Sequence, residues 1–410
     1  MQIGFEERFR TEHWNDIVDH TSAAADARRQ YRFRTRVWTK VSFGSRWSFF
    51  VGLNNESKAQ TEPSLPLTLD ETIIENLYVD LRPTEALAIR VGRQNLARGD
   101  GFILSDGTTG DGSRSFYTNG VTLAWTPRPQ ARLELIALSD PHRDIYLPVI
   151  RDKKKSLTEW NERLLGAYYT DTRAAGTDVQ IYCLWKDERG DSRPPGHPQL
   201  QPNRAVNTLG TRVARGVGGA WTVTGEFAGQ WGTQAPSTSI RAWGGYLNVR
   251  RAFARAWKPT LLVGYTAMSG DDPATAKSER WDPVLSRWPK WSELYIYSLG
   301  PEVGASYWTN TALWQAEATF VPHRSLSVRG TYYYLTAFHP FAGSPDTFAS
   351  GTSRGHLVQA RADLLLSPTL KGHVLYEYLV PGTFYSHTAS GYFFRAELVW
   401  ALQKTWTLGG

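Results

Sequence analysis

The stretch YRFRTRVWTKV, residues 31–41, decides the fold. Read at every second position, it separates Tyr31, Phe33, Thr35, Val37, Thr39 and Val41 from Arg32, Arg34, Arg36, Trp38 and Lys40. A period of two belongs to a strand, whose successive side chains point to opposite faces. One face is greasy and the other carries four cations, which suits a strand with lipid outside and water inside.

The same alternation recurs outward from this segment. In SLSVRGTYYYL (325–335), Leu326, Val328, Tyr332 and Tyr334 oppose Ser327, Arg329 and Thr331. In GYFFRAELVWAL (391–402), Tyr392, Phe394, Leu398 and Trp400 oppose Arg395 and Glu397. Strands are expected at roughly 2–12, 29–42, 47–57, 71–82, 86–97, 115–126, 131–140, 160–171, 177–187, 205–216, 219–231, 239–252, 258–269, 309–321, 325–338, 355–366, 370–380 and 391–402. The fold class is therefore all-β: a transmembrane antiparallel β-barrel of about eighteen strands, with residues 1–410 forming one domain.

The connections sort into two kinds. Tight turns such as Gly44-Ser45, Pro127-Arg128-Pro129, Gly216 to Gly218 and Pro322-His323 follow the even-numbered strands, and longer loops follow the odd ones. Both termini fall on the short-turn side, which in outer-membrane barrels is periplasmic. The longest loops are 98–114, 141–158, 188–204, 270–308 and 339–354. Loop 270–308 carries Trp281, Trp288 and Trp291 and is expected to fold over the mouth or into the lumen as a lid. A soluble sandwich or propeller fits less well, because these strands exceed the ~5–6 residues of soluble sheets and no blade motif recurs. Tryptophans near strand ends (Trp47, Trp125, Trp185, Trp221, Trp231, Trp400 and Trp406) suit interfacial girdles.

Composition supports this reading. The 410 residues include 17 Trp, 19 Tyr and 17 Phe, too many large rings for a disordered chain. No apolar run approaches the ~20 residues that a spanning helix needs. The net charge is 46 − 39 = +7 without a basic tail, so a nucleic-acid partner is not indicated. The single Cys183 excludes an internal disulfide; it shares parity with Val179, Ile181 and Trp185 and is expected to face lipid. Residues 1–15 lack a secretion signal, so the chain is expected either to stay inside the cell or to be a mature chain with an added Met; the barrel favours the second.

Several segments resemble one family. They are FEERFRTEHWND (5–16), LYVDLRPTEALAIRVGRQNLARGDGF (77–102), SRSFYTNGVTLAW (113–125), SGDD (269–272), YLVPGTFY (378–385) and FFRAELVWAL (393–402). Together they are similar to the alginate export family of outer-membrane porins, most specifically in VGRQ (91–94) followed by GDG (99–101). The resemblance implies a monomeric outer-membrane barrel whose Arg-rich lumen conducts an anionic polyuronate or oligosaccharide. It also implies that Arg93 and Gln94, with Arg98 and Asp100 beyond them, lie near a constriction. By parity, however, Arg93 joins Leu87, Ile89 and Val91 on the lipid side unless a bulge intervenes.

The alternation itself assigns lumen residues. Strand 1 supplies Glu6, Arg8, Arg10 and Glu12, and strand 2 supplies Arg32, Arg34, Arg36 and Lys40. Arg90, Arg132, Glu134, Arg250, Arg329, Arg361, Asp363, Glu377, Arg395 and Glu397 follow from later strands. Closure of the last strand on the first brings Arg395, Arg8, Arg10, Arg32, Arg34 and Arg36 onto one wall where cation is expected to predominate. Arginine forks meet carboxylates in bidentate fashion, and rings of cations favour anions in pores. The alternative is an ordinary polar lumen, balanced by neighbouring acids, in a general or other-solute porin.

Catalysis is not expected and no cofactor is implied. Gly351 to Gly355 matches the nucleophile-elbow string but lies before a strand. The run DGTTGDGSR lacks the ending of a phosphate loop. Asp106 and Asp111 are weak candidates for a calcium site, and Arg114 could reach back to the pore.

Overall fold

The computed structural model describes residues 1–23, 26–105, 118–141, 144–148, 150–152, 161–189, 203–287, 291–303 and 308–407. Its strands begin with β1 (Gln2–Asn15), β2 (Arg28–Phe43), β3 (Trp47–Glu62), β4 (Ser64–Leu81), β5 (Leu87–Gln94) and β6 (Thr118–Arg128). There follow β7 (Ala131–Asp140), the two-residue β8 (Arg151–Asp152), β9 (Asn161–Asp171), β10 (Thr177–Arg189), β11 (Arg204–Val217), β12 (Trp221–Gln234) and β13 (Thr238–Ala252). The chain ends with β14 (Thr260–Met268), β15 (Thr311–His323), β16 (Leu326–Thr336), β17 (Ser353–Ser367), β18 (Leu370–Pro381) and β19 (Gly391–Thr405). The long strands pair antiparallel in chain order, and β19 returns to β1 from Gln2↔Thr405 to Asn15↔Tyr392. Eighteen long strands thus close into a barrel, which removes the free sheet edges. Met1 is tied to Trp406 at the tight-turn end, so both ends of the barrel chain sit on that side.

The alternation has the expected sense. Phe9, Phe33, Val37, Leu135, Ile181, Leu209, Phe227, Val263 and Val358 are exposed on the outer surface, whereas Arg8, Arg10, Glu12, Arg34 and Arg395 are buried on the inner one. Trp47, Trp125, Trp221 and Trp400 are exposed toward the tight-turn end, and Trp231, Trp243 and Trp314 toward the other, as two interfacial rings require. Cys183 is exposed on the outer face.

Two connections depart from the expected pattern. The β3–β4 link is Pro63 alone, and the β12–β13 link spans only 235–237. The β3–β4 hairpin keeps pairing to Thr61↔Ser64 through three register shifts, each absorbed as a bulge, so polar residues expected in a loop lie in strands. Conversely β5 stops at Gln94 instead of 97, and the chain there turns into the barrel.

The inner surface is not polar throughout. Toward the loop end its inward positions are Leu138, Leu164, Leu184, Leu313, Leu335, Leu357, Leu379 and Phe393, all buried in one apolar cluster with Ile17, Phe102, Trp281, Leu285 and Leu294 from the loops. An apolar inner wall is stable only when something apolar covers it. Here the loops do so, and the barrel core sits inside the extracellular half.

Candidate functional site

The wall formed by β19, β1, β2, β3 and β4 carries the cations read from the sequence. Strand register sets Arg8 opposite Arg34 and Arg10 opposite Arg32, pairs that would repel if left alone. Carboxylates interleave them. Glu56 lies 3.5 Å from Arg8 and 2.7 Å from Arg32. Glu12 lies 3.3 Å from Arg10, 3.6 Å from Arg32 and 2.6 Å from Arg395. Glu397 meets Arg10 at 2.5 Å and Arg8 at 4.0 Å. Glu6 meets Arg34 at 2.7 Å and Arg36 at 3.7 Å, Glu75 takes the other side of Arg36, and Glu293 meets Arg395 at 2.9 Å. The six guanidiniums expected on this wall are thus each paired with a carboxylate, Glu293 coming from a loop, while Lys40 and Lys58 share the inward face. Interleaved charges attract along the ladder and cancel at a distance, so the wall presents order more than field.

Described segments of the loops after β1, β5 and β14 pack in the outer half of the lumen. In loop 95–117, Arg98 grips Glu134 of β7 with two bonds of 2.6 Å. Asp100 accepts from Arg212 at 3.1 and 3.2 Å and from Tyr246 at 2.5 Å. Arg98 and Asp100 are thus each paired with an opposite charge from the wall. Phe102 packs its ring 5.4 Å from Trp281, and Leu104 bridges to Leu285, so loop 95–117 and loop 269–310 form one body.

Residues 281–287 and 291–303 of the loop after β14 pack inside the barrel, as Trp281 and Trp291 suggested; Trp288 lies outside the described residues. The loop contains two short helices, α1 (Leu294–Ser298) and α2 (Gly300–Val303). Buried charges pin it to the wall. Asp282 meets Lys186 at 2.6 Å and Arg204 at 2.7 Å, Arg287 pairs with Glu162, and Glu302 meets Arg354 at 2.8 Å. Glu377 faces inward but serves this loop. It accepts from Ser292 Oγ at 2.8 Å and from the backbone N–H groups of Leu294 at 2.6 Å and Glu293 at 3.2 Å, satisfying amides at the start of α1 that have no partner within the helix. Loop 16–27 completes the plug, with Ser298 Oγ donating to Ile17 O at 2.7 Å. His20, fully buried and 4.3 Å from the Tyr385 ring, is pushed down to about 4 by burial and is neutral.

Arg93 is corrected outright. It pairs opposite Leu77, with Gly92 and Gln94 turned inward on either side of it. Its Nη2 donates to Asp144 at 2.6 Å, its Nη1 to Ile74 O and its Nε to Asn119, both at 3.0 Å. Gly92 and Gly120 face each other with φ of +129° and +151°, and a Cβ at Gly92 would lie 2.2 Å from Leu77 O. Only glycine tolerates this local coiling. Asp144 belongs to the β7–β9 connection, whose β8 pairs with β4 at Glu71↔Asp152 and Thr72↔Arg151, above the end of β5. Asp144 and β8 of this connection thus lie against the wall beside Arg93, which holds Asp144. Arg93→Gln should therefore speed protease cleavage in residues 141–152 by about tenfold, the size expected when ~1.4 kcal/mol of local closure is lost, and leave conductance unchanged. A large conductance change with unchanged cleavage would return Arg93 to the pore.

The remaining candidates face the lumen with more freedom. Arg132 is half exposed and meets Glu134 at 2.9 Å; Arg90 is bridged to Asp80 at 2.6 Å. Arg361 meets Asp363 at 2.7 Å, while Arg329 lies 3.9 Å from Glu317. Arg250 and Lys40 make no ion pair among the described residues, and Gln94 faces inward to Thr122. Asp106, Asp111 and Arg114 lie outside the described residues. Ser353 of the nucleophile-elbow string opens β17 with no helix after it, so that motif lacks its structural setting. Sequence reading missed Glu56, Glu75, Lys186, Arg204, Asp282, Glu302 and Arg354. Lys186 was legible from strand parity, but Asp282 and Glu302 sit in a loop whose path no period reveals.

Between the plug and the wall of β13 to β18 lies a cavity of about 300 Å³. Trp291, Trp308 and Tyr333 line it with Asn248, Gln315, Gln359, Arg329 and Arg361.

A closed barrel of eighteen long strands, with an apolar belt, two tryptophan rings and a charged lumen, defines a bacterial outer-membrane channel. The chain belongs to the alginate export family, which it matches over residues 1–396. Its fold is that of solved Pseudomonas aeruginosa channels. OprD is 11% identical with a TM-score of 0.59, covering 98% of this chain and 93% of its own. OpdK, solved with vanillate, is 12% identical at 0.59, covering 98% and 99%. OccD3 (OpdP) is 12% identical at 0.60, covering 98% and 92%. No functionally curated protein matches the chain in sequence.

Proposed function

We propose that this outer-membrane channel passes an anionic saccharide, an alginate-like polyuronate or its oligosaccharides, by diffusion. The observation that carries the reading is the lumen cavity, which sets aromatic faces, amides and two arginines around one space. Sugars offer C–H faces to rings and hydroxyls to amides, and a uronate adds a carboxylate that a guanidinium fork meets with two bonds. Arg329 suits this role because its nearest acid, Glu317, is 3.9 Å away. A cavity of about 300 Å³ is at the small end for ligand sites and accommodates one or two sugar units. A longer chain would pass only with the plug displaced.

A second reading, a general or other-solute porin, is favoured by the balanced wall of β1 and β2. Planar-bilayer recording separates the two. Oligouronate should block the current, and Arg329→Gln with Arg361→Gln should weaken that block about tenfold, one charge-assisted contact's worth. Equal block by a neutral oligosaccharide of the same length would favour the general porin.

A further inference from the structure

We propose that the periplasmic foot of the β2–β4 wall is a capture site for the carboxylate of an incoming sugar unit. The inference rests on the anionic-saccharide reading and adds to it a place of first contact. Inward side chains along β2 descend from Arg32 through Arg34 and Arg36 to Lys40. The three arginines are each paired with glutamate. Below them the acids run out. Lys40, Arg46 of the β2–β3 turn and Arg82 beyond β4 line a pocket of about 250 Å³ with Ser42, Ser45 and Ser48.

The pocket's one carboxylate is already taken. Asp80 is bridged by Arg90 at 2.6 and 3.0 Å. Lys40, Arg46 and Arg82 make no ion pair among the described residues. The two turns that carry the arginines are joined, since Arg82 N donates to Arg46 O at 2.6 Å and Ser48 pairs with Asp80. Three cations and three serines thus share a frame set by the sheet.

The position fits the role. Ser42 and Lys40 continue the inward register of Arg36, so the pocket opens to the lumen foot. The balanced wall above projects little field, which leaves this foot as a local source of positive potential on that side of the barrel. Both arginines are exposed to water, so binding is screened and release is fast, as a pore requires. A phospholipid phosphate shares the anion chemistry, and the test includes it.

Trigalacturonate is added to either side of single channels in phosphatidylcholine bilayers. The triple variant Lys40→Gln, Arg46→Gln, Arg82→Gln should lower the on-rate of periplasmic-side block by about tenfold, in the range of electrostatic steering. Block from the opposite side and conductance in potassium chloride should change less than about twofold. Lys40→Gln alone should give a smaller loss of the same sign. An unchanged periplasmic on-rate in the triple variant overturns the capture site while block of the native channel still supports the saccharide reading. No block of the native channel from either side overturns both. A loss seen only when phosphatidylglycerol is present assigns the pocket to lipid and overturns the capture site.

Discussion

Replacing residues 273–307 with a short Gly-Ser linker should raise single-channel conductance about threefold or more, because barrels of 16–18 strands enclose an aqueous channel when their loops do not fill them. The expectation follows from where this segment lies. Trp281, Leu285, Leu294 and Tyr295 are buried inside the barrel against inward leucines of the wall. The strand pairing does not run through them, since every long strand keeps both neighbours and β14 pairs directly with β15. The shortened channel should also pass larger neutral solutes, whereas unchanged conductance would show that the segment is not the obstruction.

Asp282→Ala should unlatch the same plug without shortening it. Lys186 and Arg204 lie buried between two carboxylates, Glu188 and Asp282. Removing Asp282 takes a carboxylate from both cations, and breaking a buried pair costs about 3–5 kcal/mol. That cost falls on the closed arrangement, because a plug swung out leaves the wall charges to water. At ~1.4 kcal/mol per factor of ten, the ratio of open to closed channel should rise by more than about a hundredfold. Apolar replacement of a buried pair is often neutral, so Lys186→Met combined with Asp282→Leu should return the channel toward its native closed fraction. Native gating in Asp282→Ala would sink the latch.

The barrel was legible from period alone. Segments such as residues 31–41 alternate so strictly that strand, outward face and lumen face follow together, and they lie where the pattern put them. Even the plug left a trace. In β17 the inward positions run Leu357, Gln359 and Arg361, apolar toward the loops and polar toward the tight turns. An apolar inner end anticipates cover by something apolar.

What the period could not carry is how charges from different strands pair. Arg32, Arg34 and Arg36 read as a cationic ladder because they alternate along one strand, while their partners arrive by register from its neighbours: Glu56 of β3 for Arg32, Glu6 of β1 for Arg34 and Glu75 of β4 for Arg36. Arg93 failed for a different reason. Family likeness placed it at a constriction while parity placed it outside, and parity prevailed, because Gly92 coils the strand without inverting the faces. Loop anchors such as Asp282 and Glu302 depend on a path that only packing against the wall selects.

The most direct measurement is uptake by liposomes containing the purified channel, comparing a radiolabelled diuronate with a neutral disaccharide of equal size. Uronate recognition in the lumen predicts that the diuronate enters at least several-fold faster, and that Arg329→Gln with Arg361→Gln removes most of the difference. Equal rates for the two sugars in the native channel would contradict it.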